Sequence, residues 1–289
     1  MKSIRPLFVT LLLSTLVFSR SFAADPIFPK PVGIAFLGDS ITEAGANRPG
    51  GYVNLVVNGL EANGVKVTPF FAGVSGHKSN QMLERLERDV ISKKPDWMTL
   101  SCGVNDVWHG PNGVPLDQYQ KNITAIIDQA QTAGIKVMIL TATVIHEDAK
   151  NPENQSLAPY NDFLRKLAVE KKCLLADLNT DMWNVIKASK APTGRLLTSD
   201  GVHMNIEGNR LMAEGVLKAF GLNKSQMGKA LESISKLPNT AGISGNMSLT
   251  LAEYDRLKEF AAKQNTSVEG LLNNTLRQQL EPIFKLKSK

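Results

Sequence analysis

The chain has 289 residues, with 33 Lys and Arg against 27 Asp and Glu, 43% hydrophobic residues and two Cys. That apolar fraction, with 21% charge, belongs to a folded chain with an ample core and excludes disorder, collagen and coiled coil. Two cysteines cannot build a disulfide scaffold or a Cys-rich zinc site, so any chemistry has to come from other side chains.

Residues 1–23 hold Lys2 and Arg5, an uncharged run from Leu7 to Phe18, and the small-residue site Ser21-Phe22-Ala23. This is the order of an export signal peptide, with cleavage expected after Ala23. The run is too short for a bilayer core of about 30 Å at about 1.5 Å per residue. Removing Lys2, Arg5 and Arg20 lowers the formal charge from +6 to +3. Residues 221–289 carry ten basic against six acidic residues, so residues 24–220 sum to −1. A nucleic-acid groove in the main domain therefore has no support. No Cys stands directly after the cleavage site, so no stable membrane anchor is expected, and the mature chain reads as secreted or periplasmic.

From Val32 onward, short apolar runs alternate with amphipathic stretches, the pattern of a parallel sheet covered by helices. Strands are predicted at Val32 to Leu37, Val65 to Phe71, Trp97 to Ser101, Lys136 to Thr141 and Cys173 to Leu178. Helices are predicted at Tyr52 to Asn63, Asn80 to Lys93, Leu116 to Ala133, Ser156 to Lys171 and Asn205 to Phe220. Five such units make a three-layer α/β/α sandwich with sites at the carboxyl edge of the strands. Residues 221–289 read as a helical extension: a helix at Asn223 to Lys236, a linker near 237–247, then helices at Leu251 to Gln264 and Ser267 to Leu280. This last pair loosely resembles the ribbon-helix-helix layout of small DNA-binding dimers. An exported chain has no DNA to regulate, so packing on the main domain or on another copy is the expected role.

Three strands end in short polar motifs: Gly38-Asp39-Ser40-Ile41-Thr42, Gly73-Val74-Ser75-Gly76 and Gly103-Val104-Asn105-Asp106. Parallel strands put all three loops at one edge of the sheet. A fourth motif, Asp200-Gly201-Val202-His203-Met204-Asn205, precedes the last helix of the main domain. Singly, each has a bland reading. Ser40 could be a helix cap, Asn105 a turn residue, Gly73 a backbone requirement, and Asp200 and His203 a cap and a surface histidine. In this order and at strand ends they resemble the blocks of the SGNH hydrolases, or GDSL esterases and lipases, over residues 30 to about 220. Many members have Asn where this chain has Phe71, a position that is not catalytic in the family. The resemblance implies Ser40 as nucleophile, His203 as base, Asp200 as its partner, and Ser40, Gly73 and Asn105 in the oxyanion hole.

Elementary chemistry assigns the same roles. A serine hydroxyl needs a base within hydrogen-bond reach, His titrates near neutrality, and a carboxylate on its second nitrogen fixes the tautomer and favours the transient cation. Amide donors fixed in advance stabilise the oxyanion, each by roughly 10² to 10³ in kcat. Competing motifs fail on spacing. Gly73-Val74-Ser75-Gly76-His77 lacks the final glycine of the α/β-hydrolase elbow, and no Gly-x-Gly-x-x-Gly follows the first strand. The four His show no ligand spacing, so neither metal nor cofactor is expected. Asp39 and Asp106 are expected to brace their loops. Trp108 and His109 either line the pocket or are a packed Trp and a partly exposed His. The segment His146 to Gln155 is expected to overhang the site and shape substrate choice.

The expected protein is thus a flavodoxin-like three-layer α/β/α sandwich with a central five-stranded parallel sheet and a C-terminal helical appendage. Its expected activity is serine esterase action on acyl esters, short-chain or acetyl, and carbohydrate-linked among the candidates, because no long hydrophobic lid is visible. Acyl transfer to an exported glycan, lysophospholipase or thioesterase activity, and an inactive binding protein are the rival readings. A homo-oligomer through the C-terminal helices is a further expectation.

Overall fold

The computed structural model describes residues 28, 30–189, 195–242 and 248–286. The expected leader and its cleavage site lie outside the described residues. Five strands pair in parallel: β1 (Val32–Gly38), β2 (Val67–Gly73), β3 (Trp97–Ser101), β4 (Lys136–Leu140) and β5 (Leu174–Ala176). Their order is β2-β1-β3-β4-β5, the flavodoxin-like order. The chain moves outward from β1 to β2, then crosses back to β3. This reversal opens a crevice between the carboxyl ends of β1 and β3, where ligands bind in such sheets.

The central strands are apolar throughout because helices cover both of their faces. Ile34, Ala35, Phe36 and Leu37 of β1 and Met98 of β3 have no exposed surface. The edge strand β2 differs, containing Pro69 and the half-exposed Phe71, as an edge position permits. The covering helices form two groups in mutual contact, which are the two outer layers. One contains Tyr52–Glu61, Leu178–Ala188, Ile206–Ala219 and Lys224–Ser235; the other contains Ser79–Glu84, Leu116–Thr132 and Pro152–Glu170.

The structure differs from the sequence reading in several places. β5 stops at Ala176, because Asp177 turns its carboxylate onto the Thr180 amide and caps a helix, Leu178–Ala188; the sequence reading carries the strand on to Leu178 and places no helix there. The stretch read as one helix over Asn80 to Lys93 is broken into Ser79–Glu84, Leu86–Asp89 and a short 3₁₀ turn. Pro152 starts the fourth long helix earlier than Ser156, with Asn151 as its cap.

The chain divides into two compact units, one ending at Ala241 and one spanning Gly242–Lys289. The helix Lys224–Ser235, grouped on sequence with the extension after residue 220, packs within the first unit, and its Ala230 and Ile234 belong to the main core. The second unit carries the helices Leu251–Lys263 and Val268–Phe284, capped by Thr250 and Ser267. Among the described residues no helix is long and apolar enough to cross a membrane.

Candidate active site

The site is assembled at the carboxyl ends of β1, β2 and β3. Beyond β1, Asp39 caps the helix Ser40–Asn47 by accepting the Ile41 amide at 2.9 Å. Ser40 is therefore the first helical residue and half-buried, with its backbone N–H among the unpaired donors of the helix start. Gly73 ends β2 in register with Gly38 of β1, two residues before Ser40. A Cβ at Gly73 would run into the backbone of Thr42 and Glu43, so only glycine lets β2 approach this closely. Asn105 sits in the short helix Val104–Trp108 after β3, buried, and its side-chain amide donates to the His77 carbonyl at 3.1 Å.

The fourth motif forms the tip of a small antiparallel hairpin. Thr198 pairs with Met204, and the Ser199 amide donates to the His203 carbonyl at 2.8 Å. Across the tip, Asp200 Oδ1 accepts the amides of Val202 and His203, and Asp200 Oδ2 lies 2.7 Å from His203 Nδ1. His203 Nε2 lies 2.9 Å from Ser40 Oγ. A continuous chain of contacts thus runs from carboxylate to imidazole to hydroxyl. Burial raises the Asp200 pKa, but the hydrogen bonds from His203 and Val202 outweigh it and hold the group at about 2. It is therefore ionised throughout the neutral range. Gly201 takes a positive φ of 105°, and a Cβ there would strike the His146 ring, so the turn needs glycine on both counts.

Asp39 and Asp106 brace their loops. Asp39 holds the Ile41 amide, and Asp106 accepts the Ser79 amide at 3.0 Å. Burial pushes Asp39 up to about 6, opposed by the Ile41 amide and reinforced by the neighbouring Asp106 carboxylate. Burial raises Asp106 as well.

Three positioning groups were not singled out from the sequence, and two of them, Arg85 and Glu147, carry no motif signal of their own. Arg85 is buried and donates to the carbonyls of Gly38 and Ala72 at 2.8 Å each, tying the ends of β1 and β2 together beneath Ser40 and Gly73. Glu147, 5% exposed, accepts the amides of Leu196, Leu197 and Thr198 and the Thr198 hydroxyl at 2.6 to 2.8 Å. Asn205 holds the same arm from its carbonyl side, donating through Nδ2 to Arg195, Leu196 and Thr198 and through its backbone amide to Leu197. The arm that carries Asp200 and His203 thus has its backbone groups satisfied by two side chains. Asn205 lies within the Asp200 motif, which is the signal that could have found it. Glu147 lies in the segment His146 to Gln155, read as an overhanging loop. In fact residues 146 and 147 clasp the hairpin, and the His146 amide donates to the Gly201 carbonyl at 2.6 Å.

Among the described residues no group of three or more His, Cys, Asp or Glu is placed to hold a metal ion. The arrangement can take a proton from Ser40 Oγ onto His203, balance the resulting cation with Asp200, and offer amide donors from three loops to a developing oxyanion.

Comparison with known proteins agrees with this chemistry. The acetylxylan esterase of Geobacillus stearothermophilus is 27% identical over 209 residues, 65% of this chain and 93% of the relative. Its solved structure matches with a TM-score of 0.62 over 67% of this chain and 96% of that one. Three variants of that enzyme described as catalytic mutants replace a serine, an aspartate and a histidine, the latter two at the same spacing as Asp200 and His203. The crystal structure of another acetyl xylan esterase is 36% identical, with a TM-score of 0.61 over 65% of this chain and 99% of that one. Esterase TesA of Pseudomonas aeruginosa is 31% identical over 105 residues, 36% of this chain and 51% of the relative. The model of the GDSL-like Lipase/Acylhydrolase family matches residues 36–211. This chain is a member of that SGNH family and a carboxylic ester hydrolase.

Proposed function

We propose that the protein is an exported serine esterase that removes short acyl groups, acetyl foremost, from carbohydrate. Ser40 attacks the ester carbonyl as His203 takes its proton, with Asp200 holding the imidazole and balancing its charge. The backbone amides of Ser40 and Gly73 and the side-chain amide of Asn105 receive the oxyanion. His203 then returns its proton to the departing alcohol, and water, deprotonated by His203, releases the acid from the acyl-enzyme. The observation that carries this reading is the pair of contacts at 2.9 Å and 2.7 Å linking Ser40, His203 and Asp200. The acetylxylan esterase relatives support the acetyl and carbohydrate parts. Export rests on the leader at residues 1–23, and assembly of copies is assigned to the C-terminal helices.

The test is hydrolysis of p-nitrophenyl esters from acetate to palmitate by the mature protein, with Ser40→Ala alongside. Turnover confined to short chains, lost in the variant, with a fluorophosphonate labelling Ser40, is the expected result. A long-chain optimum would replace carbohydrate with lipid as the substrate class. Labelling without turnover would mark a transferase awaiting its acceptor, and no labelling at all would overturn the nucleophile.

A further inference from the structure

Next to the helix that holds Asn105 lies a groove of about 400 Å³ with walls from two segments of the chain. One wall is residues 106–115, continuous with the helix that holds Asn105. The other is the start of the helix Pro152–Glu170, with Pro152, Glu153 and Ser156 facing the groove. This second wall is coupled to the acid-base hairpin. Glu153 Oε2 lies 3.6 Å from His146 Nε2, and the His146 amide is bonded to the Gly201 carbonyl. His146 itself holds φ at +56°, a conformation that a non-glycine residue enters at a cost and that clusters at functional sites. Both walls of the groove are therefore anchored to the catalytic machinery.

The lining has a two-sided character. Trp108 leaves 38% of its surface bare, and Pro111 and Pro152 add flat C–H surfaces. Glu153 offers a half-exposed carboxylate, and Ser156 an exposed hydroxyl. A long acyl chain would find polar groups it cannot pair with. A pyranose ring fits the chemistry, because it presents an apolar C–H face to an indole and its hydroxyls to acceptors at the edge.

We propose that this groove is the subsite for the sugar ring that bears the ester, with Trp108 stacking on its C–H face and Glu153 accepting from a hydroxyl. The proposal rests on the esterase reading of Ser40. Its test compares kcat/KM for a fully acetylated methyl xylopyranoside with that for p-nitrophenyl acetate, which has no sugar. The ratio of the two does not depend on how much of a variant is folded. Trp108→Ala is expected to lower this ratio about tenfold, Trp108→Phe to keep most of it, and Glu153→Gln to lower it less than Trp108→Ala. Equal losses on both substrates, or an unchanged ratio in Trp108→Ala, would overturn the subsite. So would a wild-type protein that cleaves p-nitrophenyl acetate but not the sugar ester. A wild-type protein that cleaves neither would remove the esterase reading first, and the subsite with it.

Discussion

In the first unit of the chain, Ile34, Phe36, Leu37, Leu100, Ile139 and their neighbours are sealed from solvent in a single core. In the second, Leu251, Phe260, Leu276, Ile283 and Phe284 stand exposed, and Ala261 is the one buried residue among those described. Both units contain side-chain-capped helices, so local hydrogen bonding does not distinguish them. Buried apolar surface does, at roughly 1.5–3 kcal/mol for each large side chain taken out of water. A capped helix hairpin that buries almost nothing lies below the size at which a chain supplies its own core. The first unit therefore has a core of its own and contains the candidate site, whereas the second leaves its large apolar side chains exposed, and a partner surface for them is our expectation. The contrast can be broken from either side.

The largest effect is expected at Asp200, wholly within the first unit. Asp200→Asn keeps the shape of the turn but removes the charge that balances the His203 cation, and should lower kcat by about 10⁴. Because Asp200 is held at about 2, its own protonation cannot cause a loss of activity in mildly acid solution. A variant within tenfold of wild type on p-nitrophenyl acetate would show that the 2.7 Å contact with His203 carries no catalytic weight.

Glu147 comes next. It touches no reacting atom, yet it holds the arm from which Asp200 and His203 project. Glu147→Ala leaves the buried amides of Leu197 and Thr198 and the part-buried amide of Leu196 without their acceptor, and a displacement of about 1 Å at the hairpin tip costs about 10² in rate. The expected signature is a fall in kcat with little change in KM, and slower labelling of Ser40 by a fluorophosphonate. Glu147→Gln keeps one acceptor oxygen and should recover part of both. A purely structural role would instead reduce the amount of active protein, leaving the labelling rate of the folded fraction at its wild-type value.

These two residues also mark what can be read from a sequence. The strands were legible because short apolar runs alternate with amphipathic stretches, least cleanly at the edge strand β2, and Ser40, Gly73 and Asn105 because parallel strands must deliver their following loops to one edge. Asp200 and His203 were legible as a tight turn with the right chemistry. Glu147 was not, because its function is to complement the amides of residues 196–198, some fifty positions away, which no local pattern encodes. Arg85 escaped for the same reason, since its partners are backbone carbonyls of two strands. The helix Leu178–Ala188 was hidden because Cys173 to Leu178 reads as one apolar run until Asp177 is seen to be a cap.

A smaller effect, on stability, is expected at Asp39. Its folded pKa of about 6 lies above the ordinary value of 3.8, so the unfolded chain releases this proton first as pH rises. Between about pH 4 and pH 6 the folded state binds more protons, and stability falls with rising pH through that window and stays lower above it. Asp39→Asn cannot ionise and retains an acceptor for the Ile41 amide. It should be more stable than wild type at pH 8 by up to about 3 kcal/mol and lack this part of the pH dependence. Asp200 acts in the opposite sense in a separate window, contributing stability that is lost as pH falls from about 4 towards 2. Thermal midpoints measured from pH 4 to 8 decide the point. Parallel curves for the two proteins would mean that burial at Asp39 is relieved in solution.

The smallest effect on chemistry should come from the largest deletion. Ending the chain at Ala241 removes the whole second unit and none of the residues that hold Ser40, Gly73, Asn105, Asp200 or His203. Turnover of p-nitrophenyl acetate should stay within about twofold of the full chain, because no buried apolar side chain of the main core lies beyond the cut. The expected change is in assembly. A second copy presents the same two amphipathic helices, so a symmetric pairing can bury Leu251, Phe260, Leu276 and Phe284 against their own equivalents or near neighbours, as self-complementary interfaces do. Light scattering should report a dimer or larger for the mature chain and a monomer for the truncated one. A monomeric mature chain would transfer the partner role to the first unit, and the truncated protein would then lose stability instead of its oligomeric state.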